Sequence, residues 1–265
     1  MPKLTVTVIT RNEAAHIAAA LESVAFADEI LVVDSESTDD TVAIAQRFTD
    51  RVLVRPWPGY VVQKNFAAEQ ASHDWILSLD ADERVSTPLS DEIRDLLRGA
   101  PDVSGYRLPR VTFHLGRWLR STDWYPDYQL RLYDRRRARW VGGHVHESVT
   151  ADAPVRKLRG ELLHYAYRDI AHHLQTIDRY TTLAAHEMHE SGRRAGWLDV
   201  VVRPRLAFFR NYVLRGGFRD GMAGLIVSTM NAQYVGLKFA KLWELCSHST
   251  STPRAPGVGD RIRSS

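Results

Sequence analysis

Apolar and polar residues come in alternating blocks over the first hundred positions. Residues 4–9 are a β-branched run, the polar Thr10-Arg11-Asn12-Glu13 follows, and Ile17, Leu21 and Val24 then recur at helical spacing. Glu29–Asp34 repeats the apolar run and ends on an acid, and the Ser/Thr/Asp-rich stretch 35–40 offers N-cap oxygens to a helix running through Ile44 and Phe48. A strand over 52–54, a helix over 63–71 and a strand over 75–79 complete three β-α units, the pattern of a right-handed, doubly wound, mostly parallel sheet. Thr87-Pro88 opens a further helix that should stop at Gly99. The short extended runs 106–113, 129–133, 138–141 and 145–149, separated by Pro, Gly and charge, predict a mixed or antiparallel extension. Helical patterns return over 168–188, 204–214 and 218–245, and the Ser/Thr/Pro/Gly/Arg-rich 248–265 reads as a disordered tail. The predicted division is an α/β domain over 1–167, in halves meeting near residue 100, then a helical region over 168–247 and the tail.

The fourth strand delivers Asp80 and Asp82 to the point where it stops, inside Leu79-Asp80-Ala81-Asp82-Glu83. In open α/β sheets ligands sit outside the carboxyl ends of the strands, so two carboxylates there suit a hard divalent ion, Mg²⁺ or Mn²⁺, shared with substrate phosphates. Asp34 ends the second strand along the same edge, and the loop Thr10 to Glu13 ends the first, so one crevice could use all three.

Composition narrows the class. A chain of 265 residues can bury a full core without staples, and its single Cys246 excludes a disulfide framework or a cysteine-rich zinc site. The start, Met-Pro-Lys-Leu-Thr-Val, lacks the apolar core of a secretory signal, so a cytoplasmic setting is the expectation. Net charge +3 hides a split: residues 1–100 carry 9 Lys and Arg against 17 Asp and Glu, and residues 101–265 carry 26 against 15. An acidic half suited to metal and a basic half suited to phosphates or an anionic surface follow, with no nucleic-acid signature. The uncharged stretch 222–237 contains Asn231 and Gln233 and is too short and polar for a membrane span.

The blocks Val6-Thr7-Val8-Ile9-Thr10-Arg11-Asn12-Glu13, Ile30 to Asp39, Gln63-Lys64-Asn65 and Leu79 to Glu83 together resemble the successive signatures of family 2 glycosyltransferases. The resemblance implies a GT-A fold, a nucleotide-sugar donor, a divalent metal and inversion at the anomeric carbon. Further along, Trp124-Tyr125-Pro126-Asp127-Tyr128-Gln129-Leu130-Arg131-Leu132-Tyr133, Trp140 to Glu147 and Gly216-Gly217-Phe218-Arg219-Asp220-Gly221 are similar to the lipopolysaccharide inner-core subgroup, which includes an enzyme adding β-linked glucose to a core heptose. Carried over by residue, Asp34 would contact the base, Asp80 the ribose or metal side and Asp82 the metal. Arg11 and Glu13 would line the nucleotide pocket, with Lys64 near base or phosphate; on the residues alone, the Thr10-Arg11-Asn12-Glu13 loop offers a polar cradle for a nucleotide and Arg131 could meet a phosphate. Glu147 would be the general base, with Asp127 the runner-up. The implied acceptor is a core or other lipid-linked saccharide, met at the cytoplasmic face of the inner membrane.

Other patterns compete. His144, His146 and His164 invite a zinc reading, but their spacing makes no short ligand motif, and His164 better suits an extra ligand or a diphosphate contact. The run from Arg135 to Arg139 reads as a solvated hairpin tip. Aromatic residues Phe208, Phe209, Tyr212 and Phe218 interleaved with Arg205, Arg210, Arg215 and Arg219 suit an interfacial membrane face, and packing on the catalytic domain would explain the apolar ones equally well. The rivals in class are a sugar nucleotidyltransferase, which should show a Gly-rich first loop, and a noncatalytic nucleotide- or sugar-binding module.

Overall fold

The computed structural model describes residues 1–99, 101–142 and 147–250, the last three by backbone alone. Four parallel strands make its heart: β1 (Leu4–Thr10), β2 (Glu29–Asp34), β3 (Val52–Val54) and β4 (Trp75–Asp80). They stand in the order β3-β2-β1-β4, linked by α1 (Ile17–Ser23), α2 (Thr41–Ala45) and α3 (Tyr60–Gln70). Every residue of β1 is buried, as a strand covered on both faces requires, which is why its apolar residues are mostly β-branched. Val6, Val8, Leu77 and Leu79 pack with Ile17, Leu21, Leu89 and Ile93 on one face, while Ile9, Leu31 and Val33 meet Ala67 of α3 on the other. The chain runs outward from β1 to β3 and returns to place β4 on the other side of β1. That reversal opens a crevice between the carboxyl ends of β1 and β4, where Ile9 lies opposite Asp80.

Beyond β4 the sheet becomes mixed. After β5 (Glu83–Val85) and α4 (Thr87–Arg98), the strands β6 (Gly105–His114) and β7 (Arg117–Leu119), then β8 (Asp127–Asp134), add antiparallel to one another and to β4. A separate hairpin of β9 (Ala138–Val141) and β10 (Ser148–Ala151) leans over α3, and β11 (Val155–Lys157) and β12 (Leu162–His164) pair parallel to β6. The C-terminal layer comprises α5 (Ile170–Glu190), α6 (Trp197–Phe209), which runs into a π-helical turn Arg210–Leu214, a 3-10 turn Gly217–Asp220, and α7 (Gly221–Thr250).

Several expectations shift. α2 stops at Ala45 rather than running to Phe48, and no side-chain cap comes from Asp40. Two of the residues expected to cap it brace the first loop as well, Ser37 Oγ accepting the Asn12 N–H and Asp39 the Ala14 N–H, while Asp39 also accepts the Thr41 N–H at the helix start and Thr41 Oγ1 accepts the Glu13 N–H. α3 begins three residues early, at Tyr60, because Gly59 takes φ of 105°, a turn closed to most side chains. α6 starts at Trp197 and runs through Pro204, whose ring lies against Gly236 of α7. In the Arg135–Arg139 run Arg136, Arg137 and Arg139 are exposed, as expected of a solvated tip, while Arg135 Nη1 donates to the carbonyls of Ala68 and Ala71 at the end of α3, at 2.8 and 2.6 Å, and Arg136 pairs with Asp134 and Asp74. The strands β5, β7, β11 and β12 were not foreseen; each is three residues, too short for a periodic signal. His144, His146, the start of the 145–149 strand and the tail from residue 251 lie outside the described residues, while 248–250, expected to belong to the tail, continue α7.

The Gly216–Gly221 motif serves architecture. Gly224 of α7 approaches so closely that a Cβ would meet the Gly217 carbonyl oxygen at 1.8 Å, so only glycine fits. The same turn presents Asp220, which accepts from Ser121 Oγ at 2.5 Å and pairs with Arg117. Asp123 in turn pairs with Arg210 and Arg215 and accepts from Asn211. Two acids thus fasten the helical layer to the segment leading into β8. Behind them the buried His114 and His173 and the half-buried Trp124 and Tyr167 form a ring cluster, His173 stacked on Tyr167 at 4.1 Å. Burial, with His114 and His172 adding, pushes the His173 imidazole down to about 4.

Candidate active site

The crevice beside β1 and β4 is a cleft of about 1080 Å³ lined by Thr10, Arg11, Glu13, Lys64, Asp80, Asp82, Arg131, Glu147 and His164, all singled out in the sequence. Asp34 is buried at the strand end, its carboxylate accepting the Ser37 N–H at 2.8 Å and the Ser37 hydroxyl at 2.5 Å. Asn12 takes a left-handed φ of 55°, and its Oδ1 accepts the Thr38 N–H, so it ties the first loop to the second. Both brace the loops at the carboxyl ends of β1 and β2, and neither is among the residues that line the cleft.

The tripeptide Gln63-Lys64-Asn65 works as three anchors on successive sides of α3. Gln63 donates to Ser35 Oγ. Asn65 donates to the Trp140 carbonyl and accepts the Trp140 N–H, both at 3.0 Å, clamping β9 to the helix. Lys64, between them, is almost wholly buried over the Trp140 ring, with its Nζ 3.1 Å from Asp80 and 3.8 Å from Glu147. Burial pushes the Lys64 ammonium down, Asp80 opposes that shift, and Arg131 adds to it. One side chain therefore joins the strand-end acid to the proposed base, a link that required the β9–β10 hairpin to fold onto α3.

Asp80 is fully engaged, with Arg131 Nη2 at 2.7 Å on its other oxygen. Burial pushes its carboxyl up, but Arg131 and Lys64 outweigh that and hold it well below the usual carboxylate range. Behind it lies an ion network that sequence reasoning missed. Glu83, wholly buried, accepts from Arg131 and Arg110 at 3.1 Å and from the Asp80 N–H at 3.0 Å. Arg110 then reaches Asp127 Oδ2 at 2.7 Å, while Gln129 donates to Asp127 Oδ1 at 2.6 Å. The acid of the Leu79–Glu83 block that looked incidental is the hub, and Arg110 carried no sequence signal at all.

Asp82 differs. Its one ionic partner among the described residues is His164 Nε2 at 3.4 Å, although its side chain is no more exposed than that of Asp80, about a quarter of each reaching solvent. Burial pushes the Asp82 carboxyl up, and the His164 hydrogen bond and charge bring it down further. His164 arrives there because the Asp82 carbonyl accepts the Tyr165 N–H as β12 pairs with β5. Nearby Glu13 is raised to about 7, by burial first and then by the charges of Asp82 and Asp39.

This arrangement fits a divalent ion carried in with phosphate. In the cleft the carboxylates Glu13, Asp80, Asp82 and Glu147 stand among the cations Arg11, Lys64, Arg107, Arg110, Arg131 and Arg179, so acids able to hold an ion and bases able to meet phosphate share one cavity. Among the described residues no three His, Cys, Asp or Glu side chains converge as a cage. An ion bound by one or two protein ligands and completed by substrate phosphates has no need of one. Asp82, with His164 beside it, is the available pair; Asp80 is committed to its two cations.

Residues 5–157 match the family described as Glycosyl transferase family 2. The chain belongs to this family. It is also 32% identical over 253 residues to the lipopolysaccharide core biosynthesis glycosyltransferase LpsC of Rhizobium meliloti (strain 1021), covering 92% of this chain and 94% of that one. An uncharacterized glycosyltransferase of Rickettsia felis is 33% identical over 92% of this chain and 90% of its own. In three dimensions the chain is similar to the mannosyltransferase PcManGT of Pyrobaculum calidifontis, with a TM-score of 0.53 at 15% identity over 92% of this chain and 88% of that one. The fold is GT-A, as the β-α pattern and the resemblance implied, and the protein is a glycosyltransferase. The nucleotidyltransferase and noncatalytic readings give way to that membership.

Proposed function

We propose that this family 2 enzyme moves a hexose, glucose by preference, from a nucleoside diphosphate sugar to a lipopolysaccharide core or other lipid-linked saccharide, with inversion and with Mg²⁺ or Mn²⁺. The observation that carries the reading is one continuous cleft that holds the cleft-facing Asp82 and, across Lys64 from Asp80, the carboxylate of Glu147. LpsC, matched over nearly its full length, supports the acceptor class, and PcManGT, in complex with GDP-Man and Mn²⁺, supports the donor and metal class. When bound, the ion would offset charge developing on the leaving diphosphate.

The residues then divide the work. The Thr10–Glu13 loop and Asp34 take the nucleotide end, Asp82 and His164 hold the ion, and Asp80, fixed by Lys64 and Arg131, sets the strand end. Glu147 takes the acceptor hydroxyl proton as that oxygen bonds to the anomeric carbon and the bond to the diphosphate breaks. Asp127 suits this less well, because Arg110 and Gln129 occupy both of its oxygens. A thermal-shift screen of UDP, GDP and their sugars with and without Mn²⁺ tests the reading. At ligand a hundredfold above Kd, binding adds about 2.7 kcal/mol, or roughly 5–10 °C for a chain this long. Stabilisation by one nucleoside diphosphate that needs the metal is expected, and a flat screen would overturn the proposal.

We place the enzyme at the cytoplasmic face of the inner membrane through its helical layer. Among the described residues no helix is long and apolar enough to cross a bilayer. Yet α6 buries none of its side chains fully, and Trp197, Leu206, Phe209, Leu214, Phe218 and Met222 are all more than half exposed. Phe208 and Tyr212 instead stack on each other, half-buried, and Arg210 and Arg215 serve Asp123, which leaves Arg205 and Arg219 as the basic margin. Flotation with anionic vesicles at low salt should recover the protein, and added salt should weaken recovery by about 1 kcal/mol per basic side chain at the surface. Equal recovery with neutral lipid would make the attraction purely apolar; none with either would remove the membrane from the proposal.

A further inference from the structure

Helix α5 was read from the sequence only as the start of the C-terminal layer, yet it forms one wall of the cleft. Its His173, Ile177, Thr181, Ala184 and Ala185 are buried against the body of the protein. The adjoining stripe His172, Thr176, Arg179 and Tyr180, at spacings of four, three and one, lines the cleft. Tyr60 of α3 lines the same cleft, and Arg179 lies within its electrostatic reach: burial pushes the Tyr60 phenol up to about 12, Tyr180 adds to the shift, the Arg179 charge opposes it, and Asp80 and Glu147 reinforce it.

Among the described residues Arg179 is uncommitted, as are Arg11 and Arg107 of the same cleft, and of these three it is the one that stands on α5. Lys64, Arg110 and Arg131 each meet two carboxylates. Arg179 meets none within 4.0 Å among the described residues, its guanidinium lying only against the Tyr180 ring at 5.0 Å. The acid beside it in sequence is held elsewhere, since Lys241 of α7 donates to the Asp178 carboxylate at 2.7 Å and to the Asp178 carbonyl at 2.8 Å. The fold thus supplies a counter-ion for the neighbour and leaves the arginine open toward a cavity. A guanidinium so placed offers paired donors that match a phosphate or carboxylate.

We infer that Arg179 is an oxyanion-binding residue of the cleft, engaging either the diphosphate of the donor or an anionic group on the acceptor saccharide. The inference rests on the proposed function for the identity of those two sources. Arg179 is exposed, so its replacement should leave folding intact.

The test compares wild type with Arg179→Ala and Arg179→Lys. Each is titrated calorimetrically with UDP, UMP, GDP and GMP in Mn²⁺, then assayed for transfer to core oligosaccharide before and after removal of its phosphates with hydrofluoric acid. If Arg179 holds the donor diphosphate, Arg179→Ala should lower diphosphate affinity about tenfold or more, leave monophosphate affinity in place, and be partly rescued by Arg179→Lys. If it holds the acceptor, diphosphate affinity is unchanged and the acceptor KM rises about tenfold. An acceptor phosphate is then indicated when dephosphorylation harms wild type alone, and an acceptor carboxylate when it affects wild type and variant equally. Unchanged diphosphate affinity together with an unchanged acceptor KM overturns the inference alone. Failure of the wild-type protein to bind any of the four nucleotides overturns the proposed function and the inference with it.

Discussion

Glu147→Gln is expected to keep nucleotide and metal binding while losing transfer by about 10²-fold or more, the usual loss when a positioned proton acceptor is removed. The amide preserves the shape of the side chain and its place 3.8 Å from Lys64, so the change removes basicity without opening a hole. Single-turnover transfer measured beside calorimetric nucleotide binding separates chemistry from affinity. The paired variant is Asp127→Asn. Its carboxylate neutralises Arg110, so it is expected to cost stability first and rate second. If Glu147→Gln transfers sugar at a near wild-type rate while Asp127→Asn is folded and dead, the base is Asp127. If both remain active, the mechanism proposed here is wrong.

Asp82→Ala is expected to abolish metal-dependent nucleotide binding while the fold survives. The choice of Asp82 over Asp80 follows from their partners. Removing Asp80 would leave the buried Lys64 with Glu147 alone at 3.8 Å and the buried Arg131 with Glu83 alone, weakening two interior ion pairs at once, and would confuse lost stability with lost chemistry. Asp82 has one weak partner in His164 and faces the cleft, so its loss leaves no buried charge unpaired. Calorimetry with the nucleoside diphosphate that stabilises the wild type, in Mn²⁺ and again in chelator, reads the outcome directly. Unchanged affinity in Mn²⁺ would mean that the ion is held elsewhere.

The two variants bear on different readings. Loss of binding in Asp82→Ala with no effect in Glu147→Gln would keep the metal reading and discard the base. The reverse would keep the base and leave the donor to be held by Arg131, Arg11 and the loop alone.

The β-α rhythm and the arrival of Thr10, Asp34 and Asp82 at one edge of the sheet were legible in the sequence. Each depends on local pattern: apolar runs of strand length, helical spacing between them, and a right-handed crossover that leaves few alternatives. Most named site residues came through the same route, because a strand-end carboxylate is placed by its own strand. Partnership was not legible. That Lys64 bridges Asp80 and Glu147 required the β9–β10 hairpin to dock on α3 through Asn65 and Trp140, a contact across 75 positions. That His164 stands beside Asp82 required β12 to settle between β6 and β5. The hub role of Glu83, the commitment of Arg210 and Arg215 to Asp123, and the cleft wall formed by α5 have the same origin. Alternation and helical period specify which face of an element is apolar, but a charged side chain takes its partner from whatever distant element packs against it. In a buried network the cost of an unpaired charge then decides which partners are kept.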